Sequence, residues 1–271
     1  MLDGAVLRMK RLFRTADHRS VIIAADHGAI AGPMKGIESP AALTALCAAS
    51  GVDGMLVHRG FLHAALDAWP GSLGLVLRLT GGFTVLGGRF EEEYLGSAED
   101  ALALDAAAAG CTVKFGHPRE GSFMREAARL VADCERHGLP VMMETMAWKD
   151  GKQVHDAESL ALALRAAEEL GATFLKSPLP DAPLEDLARQ CRAMLRGVQV
   201  PVLVLGGEGA GSFEDLLRRV AIALDAGAAG IAIGRQLWGH PRPRGAIEAM
   251  VGLVHEGWSW EQAARHAGSG L

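Results

Sequence analysis

A lysine closes the short apolar run Ala172-Thr-Phe-Leu-Lys176, just before the proline-rich turn Ser177-Pro-Leu-Pro180. Apolar and β-branched residues leading into one amine read as a buried parallel strand with Lys176 at its carboxyl end. Apolar walls disfavour an ammonium, so desolvation would lower the pKa of such an amine. A neutral amine attacks carbonyl carbon, which is the Schiff-base use of lysine. The bland alternative is a lysine that snorkels from the strand end to solvent. Two carboxylates bear on that choice. Glu144 lies in Val141-Met-Met-Glu-Thr145 and Asp26 ends Val21-Ile-Ile-Ala-Ala-Asp26, both among apolar neighbours. Each is either a structural ion-pair partner or an acid/base whose pKa burial has raised. An imine must gain and lose protons to form and to hydrolyse, which favours the second reading.

Other polar residues fall at equivalent places. Arg78 ends one apolar run, Lys114 lies within another, and His27 follows Asp26. Charges in apolar strands are costly unless paired, so their recurrence at one end of each run argues for a polar pocket. Arg78 and Lys114 could hold a second anionic group of a substrate, with a structural pairing as the alternative. His27 is a buried structural donor or a group facing substrate. His117, His155 and His240 lie in presumed loops without metal-ligand spacing and read as surface residues. Gly206-Gly207 and Gly234-Arg235 each follow an apolar run. Residues without side chains let backbone N–H groups approach an anion, and Arg235 would add a charge-assisted contact.

The elements that must position these residues alternate along the whole chain. Candidate strands are 20–26, 52–58, 74–80, 111–116, 140–145, 172–176, 200–205 and 230–234. Alanine-rich amphipathic helices fall at 98–109, 122–137, 159–170 and 213–226. Glycine follows directly at Gly110, Gly138, Gly171 and Gly227, the residue type that stops helices. Eight strands alternating with helices indicate a single (β/α)8 barrel, with an open doubly wound sheet as runner-up. No GxGxxG turn follows the first strand to support the runner-up. One domain spans 1–271, and residues 1–19 form a lead-in segment. The glycine-rich stretch 81–90 is a candidate mobile lid. In such a barrel the carboxyl ends of the strands carry the site, with phosphate commonly held after strands seven and eight.

Composition narrows the function further. A net charge of −5 argues against a general nucleic-acid surface. Four widely spaced cysteines form no CxxC pair, so neither a zinc site nor a disulfide framework is expected. No apolar run is long enough to span a membrane, and the basic first 20 residues lack the apolar core of a signal peptide. A cytoplasmic protein is the expectation.

The motifs Ala25-Asp-His-Gly28 with Gly32-Pro33 and Gly36, Phe174-Leu-Lys176, Gly206-Gly207, and Ala229-Gly230 through Gly234-Arg-Gln-Leu-Trp238 resemble the archaeal-type class I fructose-bisphosphate aldolases. His255-Glu256 is similar to that family's ending. The group is related to the deoxyribose-phosphate aldolases and includes transaldolase-like synthases and a thiolase for a phosphorylated autoinducer. The resemblance implies that Lys176 is the Schiff-base lysine and Asp26 a catalytic carboxylate. It implies that Gly206, Gly207, Gly234 and Arg235 cradle phosphate, that no cofactor is needed, and that copies assemble, as in the family's decamers. One departure stands out. Family aldolases carry a tyrosine acid/base in a segment like Met-Tyr-Pro-Arg-Gly, where this chain has Met143-Glu-Thr-Met-Ala-Trp-Lys149. The only tyrosine is Tyr94, so Glu144 is the expected replacement, moving the C4 hydroxyl proton with help from Asp26.

The expected function is a Schiff-base aldolase acting on a phosphorylated ketose. The rivals are a transaldolase-like or thiolase-like transferase of the same family, and a sugar-phosphate-binding barrel without turnover. A buried amine beside Glu144 and Asp26 argues against the last, since binding alone needs no such amine.

Overall fold

The structure, a computed structural model, describes residues 2–87, 91–206 and 211–268. Eight parallel strands close on themselves: β1 (Ser20–Ala24), β2 (Gly54–Val57), β3 (Gly74–Arg78), β4 (Ala108–Phe115), β5 (Val141–Lys149), β6 (Phe174–Ser177), β7 (Val202–Val204) and β8 (Gly230–Ile233). Each pairs with the next, and β8 returns to β1. The (β/α)8 barrel expected from alternation is the fold. Closure leaves none of the eight barrel strands at an edge, and helices outside cover the strands' other face.

Period-two alternation of side chains decides what faces the axis. Ile22 and Ala24, Val76, Ala108, Met142, Phe174, Leu203 and Ala232 share one buried cluster inside the barrel. Leu12 and Phe13 of the lead-in segment belong to the same cluster, and the Phe13 ring meets Phe174 edge-on at 5.3 Å. The lead-in is therefore the apolar plug at the amino ends of the strands. It is tied there by Arg14, whose Nε donates to Asp53 at 2.7 Å, and by His255, set between Asp17 (2.6 Å) and Asp53 (2.8 Å). Two residues further along the same inward rows come Asp26, Arg78, Met142's neighbour Glu144, and Lys176. The apolar layer thus gives way to a polar one at the carboxyl ends.

The outer helices form for ordinary reasons. Helix Glu120–Arg136 buries Phe123, Ala127, Leu130, Val131 and Cys134, the spacing of one helical face. Ser97, Asp156 and Ser212 cap helix starts through their side chains. Gly138, Gly171 and Gly227 take positive φ after three helices, as expected.

Gly110 does not. The helix expected over 98–109 ends at Ala103, and Asp105 makes the turn with φ 55°. Aspartate tolerates that left-handed conformation better than most residues, and its carboxylate is held by Arg11 at 2.9 Å. Four consecutive alanines follow, all fully buried: Ala106 and Ala107 lead into β4, and Ala108 and Ala109 open it, instead of extending the helix. Gly110 lies within β4, closely facing Leu56 and Val76.

Two extensions rise above the barrel. Thr80–Gly81 pairs antiparallel with Glu93–Tyr94, so the expected lid is anchored by a small ribbon, and residues 88–90 lie outside the described residues. The second extension is β5 itself, which runs to Lys149, turns through Asp150 and Gly151, and returns as Lys152–Val154. Both turn residues have positive φ, 52° and 76°, the signature of a tight hairpin turn. Gly116, at φ 79°, lets it pass: a Cβ there would lie 2.1 Å from the Trp148 carbonyl oxygen. The His117 ring packs edge-on against Trp148 at 4.9 Å.

Candidate active site

A cavity of about 440 Å³ opens at the carboxyl ends of the strands. Its floor is one ion-pair network. Register sets Thr112, Glu144 and Lys176 side by side on β4, β5 and β6. Lys176 Nζ lies 2.9 Å from Glu144 Oε1, and both side chains are largely buried. Arg78 reaches across from β3 and spends every N–H it has. Its Nε donates to the Thr80 carbonyl at 3.0 Å. Nη1 donates to Asp26 (3.1 Å) and Glu144 Oε2 (3.0 Å). Nη2 donates to Glu92 (3.1 Å) and Thr112 Oγ1 (2.6 Å). The Thr112 hydroxyl in turn donates to Glu144 Oε2 at 3.0 Å.

The charges follow from these contacts. Burial alone would raise the Glu144 carboxyl, but Lys176 and Arg78 beside it hold it down to about 2. Burial opposes the Arg78 charge, yet Glu92, Asp26 and Glu144 outweigh it and raise its pKa. Glu144 is therefore a carboxylate at any ordinary pH, with one oxygen on the lysine nitrogen and the other on the arginine. The amine is accordingly not alone on apolar walls, as its sequence neighbours suggested. It has a counter-ion in contact, supplied by the adjacent strand.

The other expected residues divide. Asp26 belongs to the network, and His27 Nδ1 lies 3.5 Å from its Oδ1. Burial lowers the His27 pKa, Asp26 acting against that. Gly206, Gly234 and Arg235 line the cavity, while Gly207 lies outside the described residues. Gly234 also has a steric reason to be glycine, since a Cβ would lie 2.2 Å from the Ala24 carbonyl oxygen. Arg78 lines the floor, but its five donors are all engaged by protein acceptors, so the structural pairing describes it. Lys114 is fully buried on β4, its Nζ 5.1 Å from the Phe83 ring centre and 5.8 Å from that of Phe123. It is not among the residues lining this cavity. Neither cation is placed to grip a second anion there. Tyr94 is no substitute for the family tyrosine, because its hydroxyl donates to the Glu126 carbonyl at 2.8 Å outside the cavity.

Burial pushes the Lys114 ammonium down to about 8, with Glu92 opposing. The sign is that of a buried cation: below pH 8 the folded protein carries a desolvated charge, and the cost is relieved as pH rises from 8 towards 10.5. Stability is therefore expected to rise between pH 8 and pH 10 through this group, and the rise to be lost in Lys114→Met, as thermal melts of both proteins at both values would show.

Matching the chain against family models identifies residues 20–240 as a DeoC/LacD family aldolase domain. The chain belongs to that aldolase family. Among curated relatives, the 2-amino-3,7-dideoxy-D-threo-hept-6-ulosonate synthase of Halobacterium salinarum is 30% identical, covering 98% of this chain and 97% of that protein. A 3-hydroxy-5-phosphonooxypentane-2,4-dione thiolase of Klebsiella pneumoniae is 30% identical over 96% of this chain and 84% of that one. A Schiff-base-forming fructose-1,6-bisphosphate aldolase superposes with a TM-score of 0.80 at 31% identity, covering 93% of this chain and 100% of that one. An archaeal fructose-1,6-bisphosphate aldolase with its catalytic lysine bound to a carbinolamine intermediate gives 0.79 at 30% identity, covering 92% and 99%. The family and the lysine-dependent aldolase class implied by the strand-end motifs are thus met.

Three features of the aldolase escaped the sequence. Glu92, 2% exposed, is the third carboxylate on Arg78; its signal was the acidic run Glu91-Glu-Glu93 beside the glycine-rich stretch. Thr112 is the inward partner of Glu144 across β4 and β5. Gln153 and His155 line the cavity and touch each other, Nε2 to Nε2, at 2.8 Å. His155, expected at the surface, is half-buried and lines this cavity. The signal was Lys149-Asp-Gly-Lys152, since Asp-Gly between two strands marks a two-residue hairpin.

Proposed function

We propose that this aldolase forms or cleaves a phosphorylated ketose through an imine on Lys176. The observation that carries the reading is a single buried lysine in contact with Glu144 at the floor of a cavity, in a family with lysine-bound reaction intermediates. Lys176 attacks the ketone carbon. Glu144, with Oε1 on Nζ, takes up and returns the protons that the nitrogen and the carbinolamine oxygen exchange. Arg78, Thr112 and Asp26 hold that carboxylate in place and keep the floor charge-balanced. Loss of water leaves an iminium, whose positive nitrogen is the electron sink for breaking the C3–C4 bond.

The phosphate reading rests on the β7 and β8 ends of the cavity wall. Gly206 and Gly234 end β7 and β8, and Arg235 opens a short helix there, at the place where barrels of this kind hold phosphate. Arg235→Ala is expected to weaken binding of phosphorylated substrates by about 1.5–3 kcal/mol, the range for a hydrogen bond to a charged group. Binding of an unphosphorylated analogue should hardly change, as calorimetry on both would show.

Borohydride reduction in the presence of dihydroxyacetone phosphate, followed by mass spectrometry, tests the imine directly. An adduct on Lys176 supports the proposal, and absence of any adduct sinks it. A transferase of the thiolase kind would use the same lysine and differ in the acceptor, so a screen of carbonyl acceptors separates the two. The proposal includes a cytoplasmic homo-oligomer. Its supports are four free, buried cysteines, suited to a reducing compartment, and exposed Leu2, Val6 and Leu7 at the first helix.

A further inference from the structure

Glu92 takes no part in the steps above, yet it is the most buried of the three floor carboxylates. Its side chain is 3% exposed, against 7% for Asp26 and 14% for Glu144. Successive residues of the acidic run 91–93 go to opposite sides, as along a strand. Glu91 and Glu93 turn outward, where Arg119, just ahead of helix Glu120–Arg136, holds them at 2.5 and 2.9 Å. Glu92 turns inward, and both its oxygens accept from Arg78 Nη2, at 3.1 and 3.2 Å. Gly81 pairs with Glu93 across the ribbon, which fixes the register of the run. A segment that is no part of the barrel thus carries a third carboxylate to the floor, where an uncompensated charge is costly.

A count of charges shows what it changes. At neutral pH the cations Arg78 and Lys114 face the carboxylates Asp26, Glu92 and Glu144. Lys114 belongs in the count because burial works to discharge it and Glu92 opposes that. With Glu92, the charges cancel when the Lys176 nitrogen is positive. Without Glu92, they cancel when that nitrogen is neutral. The chemistry needs the positive form, since only a protonated imine draws the C3–C4 electrons. We propose that Glu92 is a positioning residue for the imine chemistry: acting through Arg78, it sets the floor's charge so that the balanced state carries a positive nitrogen on Lys176. The link is continuous, because Arg78 Nη1 holds Glu144 and Glu144 holds the lysine. Other ionisable groups stand around it. Asp26 and His27 lie on the β1 side of Lys176, Arg235 on the β8 side and His155 towards the hairpin, while Lys114 and His58 lie near Glu92. Burial disfavours a charge on His27 and on His58.

This inference rests on the imine reading above, and the test keeps the two apart. Wild type, Glu92→Gln and Glu91→Gln are each mixed with dihydroxyacetone phosphate and cyanoborohydride, which reduces the protonated imine, from about pH 5 to about pH 10. Mass spectrometry follows the rate of adduct formation on Lys176, and thermal melts certify the fold. The rate falls in acid, where the amine is protonated, and in alkali, where the imine loses its proton. In Glu92→Gln both limbs are expected to move towards acid by about one pH unit. That is the scale of a unit charge three contacts away at an effective dielectric of about 20. Glu91→Gln, which removes an outward-facing charge, should leave the profile in place. Unmoved limbs in a folded Glu92→Gln, whatever its melting temperature, would overturn the proposal. So would an equal shift in Glu91→Gln, which would trace the effect to the acidity of the whole run. Glu92→Met is a second neutral variant, without an amide N–H to oppose Arg78, and its limbs should move as those of Glu92→Gln do. If neither variant folds, Glu92 serves the fold and the proposal falls. Absence of an adduct in the wild type at every pH would sink the imine reading instead.

Discussion

Lys176→Met is expected to reduce turnover to the uncatalysed background and to abolish borohydride trapping. Methionine preserves most of the side-chain volume but removes the nucleophile, and no route to an electron sink remains without it. The fold should survive. Glu144 keeps Arg78 and Thr112 as partners, so the variant loses one contact of a network, not the network. The control lies in the second buried lysine. Lys114, with an ammonium pushed down to about 8, also has a substantial neutral fraction in mild alkali, so an adduct there is chemically conceivable. Its enclosure under Phe83 and away from the cavity predicts none. Peptide mapping of the wild-type adduct decides: modification at Lys114, with Lys176→Met still active, would overturn the assignment.

Glu144→Gln is expected to slow adduct formation itself, by about 10²–10⁴-fold for a lost acid–base group, with KM little changed. The amide keeps the shape and can still accept from Arg78, but it cannot carry protons to and from the lysine nitrogen. A whole-ketose adduct that forms at the wild-type rate in Glu144→Gln, with cleavage lost, would move Glu144 to the hydroxyl side. Stability supplies a second readout. The Glu144 pKa is depressed in the fold, so its stabilising contribution is complete above about 4.5 and is lost as pH falls towards 2. The gap in melting temperature between wild type and variant should therefore be widest near neutrality and close in acid.

Much of this was legible in the residue pattern. Period-two alternation and strand-ending charges place Asp26, Arg78, Glu144 and Lys176 at one end of one barrel, because a strand's inward row continues unchanged from its apolar part into its polar part. Pairing was not legible. Whether Arg78 would hold substrate or hold Asp26, Glu92 and Glu144 depends on how far a long side chain reaches across the barrel axis, which spacing along one strand does not encode. The environment of Lys176 stayed open for the same reason: its sequence neighbours are apolar, and only the pairing of β5 with β6 sets Glu144 against it. The stretch 106–109 went astray because alanine suits a helix in isolation, and burial between strands overrode that preference. His155 was passed over because the strand bearing Glu144 continues four residues past Thr145, into a hairpin that the Asp150-Gly151 pair announces.

That hairpin separates two properties that most enzymes must trade against each other. Its pairing starts at Ala147, the last rung that β5 shares with β4, and runs outward, so the pairs at Trp148 and Lys149 and the turn itself lie outside the eight-stranded closure. The two-residue turn alone decides which face Gln153 and His155 present, since a shift of one residue turns every side chain on a strand to the opposite face. An ancestor could therefore lengthen, shorten or replace this arm and acquire a new chemical preference while its melting point stayed put. Within a family whose members join and split different carbon skeletons, such an arm is a natural place for divergence to be written, and an equally natural one for directed evolution to begin.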